Sequence, residues 1–447
     1  MKIKHIFTIQ IPTLAGRGEG GDQAKASGER WSFGEWCRAS AEEMRGSTAG
    51  ISDGLRGTSR LHYAVLTALD MLISSVLISP LVVSYWRGTW CLMDHYVFPE
   101  RDDYSSYVSL CVGFSGLLLF TLLQRPLATY LDPEKHRLFY YISSRLYTAI
   151  FGFCCVNSWR GAWKFLDVYT GDSLDALLAS TLGSALLLTC LRTLRNISAA
   201  PFAIVTDRSD GYFLVPTMFR VSDTRDTWLY VLDCFFSVFV IGTLVVFVWR
   251  GCWCLLDMYL FPDREDLSAW GSLIMGYILV FSTFATQPLV KSIVSRISGL
   301  LRLITVDIYL ILSFCGTVNV WRGVWNLLNI YFLPDNKVMS YWVTHVACFL
   351  FLILINSSNS ILVRGVYIDA EEEGAQCVDF PCYYLRLFFQ TRRRKKLLRQ
   401  MQKRQVAALV RRKSEGDGLP APQEGPTNYQ SRPRPSLHIP ADPANVV

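Results

Sequence analysis

The string Trp-Arg-Gly-x-Trp occurs four times in this chain, and this recurrence constrains the fold more than any other feature. The copies begin at Trp86, Trp159, Trp249 and Trp321. The interval from the first copy to the third differs by only one position from the interval between the second and the fourth. Self-similarity at a fixed spacing indicates that one structural unit was duplicated. We therefore predict four related units that form two similar halves.

The signature extends beyond these five letters. An acid or amide follows eight positions after each first tryptophan, and a tyrosine follows ten positions after it. The signature residues are Trp86, Arg87, Gly88, Trp90 and Asp94 in the first copy; Trp159, Arg160, Gly161, Trp163 and Asp167 in the second; Trp249, Arg250, Gly251, Trp253 and Asp257 in the third; and Trp321, Arg322, Gly323, Trp325 and Asn329 in the fourth.

The composition predicts a membrane protein. The chain is 51% hydrophobic and only 18% charged, with mean hydropathy +0.25, whereas about a quarter of a soluble domain is charged. A helix of about 20 apolar residues crosses a bilayer. One apolar block precedes and one follows each motif, at 65–85, 107–123, 138–158, 174–191, 229–248, 267–284, 303–320 and 338–355. We predict an all-α, polytopic membrane protein with eight transmembrane helices built from four parallel two-helix repeats.

The remaining segments set the predicted domains. Residues 1–60 and 414–447 are polar or Pro-rich and are expected to be disordered. Between them lie the transmembrane domain, at 61–370, and a basic juxtamembrane segment, at 371–413. The repeats are placed at about 61–130, 138–200, 226–292 and 300–365.

The distribution of Lys and Arg predicts the orientation. The loops after the first, third, fifth and seventh blocks carry two basic residues each, whereas the loops after the second, fourth and sixth blocks carry three, five and three. The segment after the eighth block is the most basic region. The positive-inside rule then places both termini in the cytoplasm and the signature loops outside. Because each repeat contains two spans, all four repeats share one orientation. Pseudo-two-fold packing of two halves is the simplest arrangement.

Two interpretations of the signature are open. In the first, four Arg–acid or Arg–amide pairs form a cap beneath an aromatic girdle at the membrane interface, where Trp and Tyr rings are favoured. The signature glycine would let another backbone approach closely. In the second, the four arginines form a ring that binds an anionic ligand or a lipid head group.

Four ionisable residues precede the motifs by 14 or 16 positions: Asp70, Arg145, Asp233 and Asp307. Charge inside a membrane is costly and normally faces protein or water. These residues either mark the inner helix ends and snorkel to the surface, or Arg145 contacts an aspartate across the bundle. Cys91 and Cys254 share one position in copies one and three, so a disulfide between them is a further hypothesis.

The segment 385–413 contains twelve basic residues and no acid, including the run Arg392, Arg393, Arg394, Lys395 and Lys396. Such a segment is typical of a helix that binds anionic lipid or calmodulin; alternatively it is a stop-transfer cluster that only fixes orientation. No catalytic fingerprint or metal-ligand spacing occurs. We therefore expect a non-enzymatic protein without a cofactor, whose partners include the lipid bilayer and exclude nucleic acid.

The four motif copies on eight spans, with Phe98-Pro99-Glu100 and Phe261-Pro262-Asp263 after two of them, resemble the fuseless family of insect multi-pass membrane proteins. The resemblance covers about residues 60–385. It implies a neuronal plasma-membrane protein at the presynaptic terminal, needed for calcium-channel organisation and synaptic vesicle release. A voltage-gated calcium channel or a release-site scaffold is then the expected partner.

Three classes of function remain after the sequence is considered. The first is a membrane organiser, whose tail and bundle surface carry the function. The second is a transporter or channel for a small ion or solute, with a polar path on the pseudo-symmetry axis. The third is a membrane enzyme, for which the sequence shows no cluster of catalytic residue types. The middle stretches of the first and fifth blocks, 76–83 and 239–248, are mostly apolar, which favours the organiser.

Overall fold

The computed structural model describes residues 60–416 except 210, 222–225, 372–373 and 381. The N-terminal segment predicted to be disordered, and the tail beyond residue 416, lie outside these residues. The described part folds into helices joined by loops, with no β-strand among the residues it covers.

Eight long helices carry the predicted repeats. Each motif lies in the C-terminal part of an odd-numbered helix, and a short loop leads from it into the even-numbered helix that follows. The helices are α1 (His62–Tyr96), α2 (Asp102–Leu122), α3 (Arg137–Tyr169), α4 (Leu174–Cys190), α5 (Thr227–Tyr259), α6 (Glu265–Val294), α7 (Gly299–Tyr331) and α8 (Lys337–Leu354). The short helix Gln124–Tyr130 follows α2.

Within the described residues, six of these helices are long and apolar enough to cross a membrane: α1, α2, α5, α6, α7 and α8. The other two form where predicted but fall outside that set. Helix α3 carries charged residues such as Arg145 along its 33 residues, and α4 has only 17 residues. The all-helical, polytopic membrane fold is confirmed, whereas the count of eight spans stays a prediction.

The helices pack in a closed order. Each odd helix packs chiefly against the even helix of the preceding repeat: α3 against α2, α5 against α4, α7 against α6, and α1 against α8. The odd helices also contact one another in sequence, and α7 returns to α1. The four motif helices therefore surround the centre of the bundle. We call the end that carries the motifs and their short loops the signature end.

Helices α1 and α5 share a local irregularity. A π-helical turn occurs at Ile73–Ile78 in α1 and at Phe236–Ile241 in α5, at the same place in the first and third repeats. Such turns widen the backbone locally and often occur at functional sites.

Two irregular stretches, 191–226 after α4 and 355–384 after α8, are called the first and second crossing segments. The second residue of each lies in the left-handed region, Arg192 at φ 57° and Asn356 at φ 57°, and a short 3-10 helix follows, Leu194–Ile197 or Ser358–Ile361. Most of their described residues are buried or half-buried. Irregular backbone at membrane depth is tolerated only inside protein or beside water, because its polar groups need partners.

The basic segment forms helix α9, Leu385–Gly416. It extends three residues past the predicted boundary at 413. Arg392, Arg394 and Lys396 are exposed, Arg393 is half-buried and Lys395 lies in the same helix. Helix α9 begins beside Asp70, whose carboxylate accepts bonds from the backbone N–H of Leu385 and Arg386.

Candidate functional site

The first tryptophans of the four motifs meet in one square at the centre of the bundle. The ring centroids of consecutive members lie 5.3 to 5.6 Å apart, with adjacent ring planes at 69° to 82°. The members are Trp86, Trp159, Trp249 and Trp321, all buried. Edge-to-face pairs of this kind are favourable beyond the area they bury. We call this arrangement the inner square.

A second square lies one helical turn closer to the signature end. Its centroids are 5.6 to 6.0 Å apart and its adjacent planes are nearly perpendicular, at 82° to 87°. Its members are Trp90, Trp163, Trp253 and Trp325, all half-buried. Residues four apart lie on one face of a helix, so each motif helix contributes one ring to each square.

The prediction that the motif tryptophans form a girdle at the membrane interface is therefore wrong. Four helices that point the same face at one axis bring their tryptophans together in the core. The tyrosines two positions after the acid do face outward: Tyr96, Tyr169, Tyr259 and Tyr331 are 54% to 66% exposed. The spacing predicted two similar halves related by a pseudo-two-fold axis. Both tryptophan squares instead have an approximately four-fold arrangement.

The motif arginines join neighbouring repeats. Arg160 reaches back to Asp94 (Nη2–Oδ1 2.8 Å), Arg250 to Asp167 (Nε–Oδ1 2.7 Å) and Arg322 to Asp257 (Nε–Oδ1 2.8 Å). Arg87 closes the ring on Asn329 (Nε–Oδ1 2.7 Å). The expected pairs thus exist, but each links a repeat to the one before it rather than two positions of one helix.

Serines of the even helices complete three of these arginine sites. Arg160 donates to the Ser105 hydroxyl at 2.6 Å and to Ser109 at 2.5 Å, and Arg322 makes the same bonds to Ser268 and Ser272. Arg87 donates to the Ser340 hydroxyl at 3.2 Å. A buried guanidinium needs such partners to offset the loss of hydration. All four arginines are at most 2% exposed.

The second repeat departs from this pattern. Thr181 of α4 lies against Gly251, and Leu177 stands one helical turn before it, at a position where the other even helices hold a serine. Arg250 instead donates to Asp172 at 2.7 Å, and its Nη1 is buried without a partner among the described residues. The loop after this motif turns on Gly171 (φ 65°), where the other three copies hold Phe98, Phe261 or Leu333 at φ 48° to 52°.

The motif glycines provide the close approach that was expected of them. A Cβ at Gly161 would lie 2.5 Å from the Leu110 backbone nitrogen of α2, and a Cβ at Gly323 would lie 2.6 Å from the corresponding atom of Leu273 in α6. Gly88 lies equally close to α8, and Gly251 lies against Thr181 of α4. Each glycine therefore seats its helix on the preceding repeat, beside the arginine that bonds to it.

Three tryptophans of the inner square donate hydrogen bonds to backbone carbonyls of the crossing segments. The indole N–H of Trp249 donates to the Ile197 carbonyl at 3.0 Å, that of Trp86 to the Ile361 carbonyl at 2.9 Å, and that of Trp321 to the Ala200 carbonyl at 2.8 Å. Ile197 and Ile361 occupy the same place in the two segments. The two-fold relation between the halves is therefore retained here.

Two aspartates lock the crossing segments to each other. Asp369 of the second segment accepts from the backbone N–H of Leu194 and Arg195, both at 2.7 Å. Asp207 of the first accepts from Ser358 and Asn359 in the reciprocal way, at 3.0 and 2.7 Å. Carboxylates that receive two backbone donors at the start of a helical turn cap it.

Three of the four charged residues that precede the motifs, Asp70, Arg145 and Asp233, have partners inside the bundle rather than snorkelling from it. Arg145 forms an ion pair with Asp207 at 3.1 Å; this aspartate belongs to the first crossing segment and is not one of the three that precede the motifs. Asp70 pairs with Arg386 at 2.6 Å, and Asp233 accepts from Thr217 at 2.6 Å and from two backbone N–H groups of the first crossing segment. Asp307 differs, because it is 6% exposed and its Oδ1 has no hydrogen-bond partner among the described residues.

Cys91 and Cys254 are both free thiols in the structure, so the hypothesised disulfide is not formed. They belong to repeats one and three, which lie on opposite sides of the tryptophan squares. Each thiol instead lies near the arginine of its own motif.

A cavity of about 120 Å³ lies beside the inner square. It is lined by α2, α3, the π-turn region of α5 and both crossing segments, with residues such as Phe114, Trp159, Ile241, Ile361 and Val366. Its walls are mainly apolar, and none of the described residues that line it is acidic.

Sequence reasoning missed the crossing segments, with Asp207 and Asp369. A signal was present: the stretches 191–198 and 355–362 occupy equivalent places after the second and fourth repeats, and each is rich in Ser, Thr and Asn. Because neither contains the tryptophan motif, they read as ordinary loops.

The fold and the two tryptophan squares define an all-helical membrane protein whose repeats close around a common axis. The model of the Fuseless family matches residues 65–362, about two thirds of the chain and all four motifs. The chain belongs to the Fuseless family. No curated protein and no solved structure matches it.

Proposed function

We propose that this protein is a non-catalytic organiser of the neuronal plasma membrane, which positions presynaptic calcium channels and supports synaptic vesicle release. Membership of the Fuseless family supports the proposal, because the resemblance to that family implies this role. In this proposal both termini are cytoplasmic, and a voltage-gated calcium channel or a release-site scaffold is the partner.

The position of the motif tryptophans is the observation that favours an organiser. Two stacked squares of tryptophan occupy the central axis at the signature end, and the inner square is bonded to both crossing segments. A conduction path needs polar groups or water along its length, whereas large aromatic rings fill this axis. The bundle is therefore suited to holding a shape rather than to passing a solute.

Helix α9 supplies the surface on which a partner would act. Its basic residues are exposed, while its first turn is fixed to the bundle through the buried Asp70–Arg386 pair. Positive charges on an exposed helix attract anionic lipid, and a basic helix with an apolar face is typical of calmodulin targets. A rigid base with a projecting basic helix matches what an anchor for a cytoplasmic scaffold requires.

The test is a truncation that keeps the Asp70–Arg386 pair, which fixes the first turn of α9 to the bundle. Deleting residues 392–447 removes most of the basic helix and leaves the Asp70–Arg386 pair intact. In neurons that lack the native protein, the truncated form is expected to reach the surface while calcium channels spread away from release sites. A full-length variant with Arg392–Lys396 replaced by glutamine is the matched control for charge. Normal channel clustering with the truncated form would refute the proposal.

A second candidate is a transporter or channel for a small ion or solute. The observation that favours it is the pair of crossing segments, because irregular backbone that meets a cavity is typical of transport sites. Purified protein in liposomes provides the test: flux of an ion or solute that stops when Trp159 is replaced by alanine would favour transport over organisation.

A further inference from the structure

A space that occurs at equivalent places in the two halves of the bundle is filled by side chains in one half and open in the other. In the second half, Phe202 and Phe380 pack against Phe284 with ring centroids 4.8 and 6.2 Å away, and Tyr309 lies 5.4 Å from Phe380. The space left there is about 10 Å³. The corresponding space in the first half is the cavity of about 120 Å³.

The correspondence follows from the repeat spacing. Phe114, Leu117 and Thr121 of α2 line the cavity, and their equivalents at the repeat interval are Tyr277, Val280 and Phe284 of α6, which belong to the filled cluster. The stretch from Arg192 to Asp207 in the first crossing segment is two positions longer than the stretch from Asn356 to Asp369 in the second. At the interval that relates Arg192 to Asn356 and Ile197 to Ile361, Phe202 corresponds to Val366, whose smaller side chain lines the cavity and leaves it open.

The polar character of the cavity is also asymmetric. Three indoles of the inner square donate to crossing-segment carbonyls, but among the described residues the indole N–H of Trp159 has no such acceptor. Trp159 lines the cavity. A further lining residue, Ser198, holds a hydroxyl without a hydrogen-bond partner in the described part of the chain, and a hydroxyl can donate to an acceptor. An unmade hydrogen bond in a buried site has a cost that a bound molecule removes.

We infer that this cavity is a binding site for a small uncharged molecule with an apolar body and one hydrogen-bond-accepting oxygen. The oxygen accepts from the Trp159 indole, and the apolar body packs against Phe114, Ile241 and Val366. An engineered apolar cavity of about 150 Å³ holds benzene, so a six-membered ring with one oxygen has the right size. The site goes beyond the organiser role and does not depend on it.

Among the described residues that line the cavity none is acidic, so an uncharged occupant fits it better than a cation. Arg364 is the charged residue at the wall, and its guanidinium already donates to the Tyr147 hydroxyl at 3.1 Å. A buried carboxylate would need fuller pairing than this to offset its desolvation. An uncharged oxygen needs only the indole.

The experiment uses the full chain in nanodiscs with two probes of the same shape, cyclohexanone and methylenecyclohexane, of which only the first has an acceptor. Binding is measured by saturation-transfer NMR titration. We expect cyclohexanone to bind about tenfold more tightly, which corresponds to about 1.4 kcal/mol. Cyclohexanecarboxylate is the third probe and is expected to bind more weakly than cyclohexanone.

Variants assign the site. Trp159→Phe keeps the ring and removes the donor, so the preference for cyclohexanone should fall to about twofold or less. Trp321→Phe is the matched control, because its N–H is already bonded to Ala200 and the preference should stay near tenfold. Val366→Phe should abolish binding of both probes by filling the cavity. Phe202→Ala should create a second site in the other half.

Three results would overturn the inference: equal affinity for the two isosteric probes in the wild-type protein, a preference unchanged by Trp159→Phe, or tighter binding of the carboxylate. If Val366→Phe fails to fold, the Trp159→Phe and Trp321→Phe pair still decides, because both keep an aromatic ring in the square.

Discussion

The cross-repeat arginine ring predicts a specific energetic coupling. Arg160 is fully buried and donates to Asp94 twice, through Nε at 3.0 Å and Nη2 at 2.8 Å, and also to Ser105 and Ser109. Removing one partner of a buried ion pair costs about 3–5 kcal/mol. Asp94 is 37% exposed and can be rehydrated, so we expect Arg160→Ala to cost about 3 kcal/mol, the lower end of that range.

Asp94→Asn should be milder. Asn329 occupies this position in the fourth repeat and still accepts from Arg87 at 2.7 Å. A neutral acceptor in place of a charged one weakens the bond but preserves it, so the expected cost is about 1 kcal/mol. Unfolding of purified protein in bicelles by steric trapping gives both free energies.

A double-mutant cycle then separates the two possible pairings. Arg160 and Asp94 should show a coupling energy of about 1–3 kcal/mol, because contacting residues are not additive. Arg160 and Asp167 belong to the same motif, but Asp167 bonds to Arg250 instead, so their coupling should be close to zero. A strong coupling of Arg160 with Asp167, together with none to Asp94, would refute the closed ring.

Three further outcomes are expected. A cysteine at Asp103 should react with a membrane-impermeant thiol reagent on intact cells and one at Ser209 should not, each judged against the signal of the parent protein; the reverse pattern would invert the orientation. Replacing Arg392–Lys396 by glutamine should weaken binding of the full protein's tail to anionic liposomes more than about a hundredfold, since each basic residue contributes about 1 kcal/mol near the surface; unchanged binding would leave only a stop-transfer role. Asp70→Asn should expose the start of α9 to protease, while Asp233→Asn should not, because Asp70 pairs with a buried arginine and Asp233 accepts from neutral donors; equal digestion of both variants would contradict this.

The repeat and the helices were predictable because both depend on local sequence. A motif that returns after nearly the same interval in both halves indicates duplication, and apolar blocks of about 20 residues indicate membrane helices. The need for a glycine beside each arginine could also be anticipated, since only glycine permits such a close approach of backbones. The pairing of an arginine with an acid or amide was expected because buried charge needs a partner.

The partners themselves were decided by the tertiary structure. Arg160 could reach Asp167 along its own helix or Asp94 on α1 of the preceding repeat, and sequence spacing does not distinguish them. The choice depends on which even helix seats against Gly161, which is a matter of packing between repeats. The same packing places the tryptophans on the axis of the bundle rather than at the predicted membrane interface, because the tryptophan-bearing face of all four motif helices points inward.

The cavity depends on still subtler features. The second crossing segment has the smaller Val366 where the first has Phe202, which leaves the cavity open. Among the described residues, Trp159 also lacks the carbonyl acceptor that the other three indoles have. The sequence determined four repeats, apolar helices and a basic tail, since these follow from composition and periodicity. Only the folded chain decided that the repeats close into a ring, because contacts between residues distant in sequence depend on how every helix packs at once.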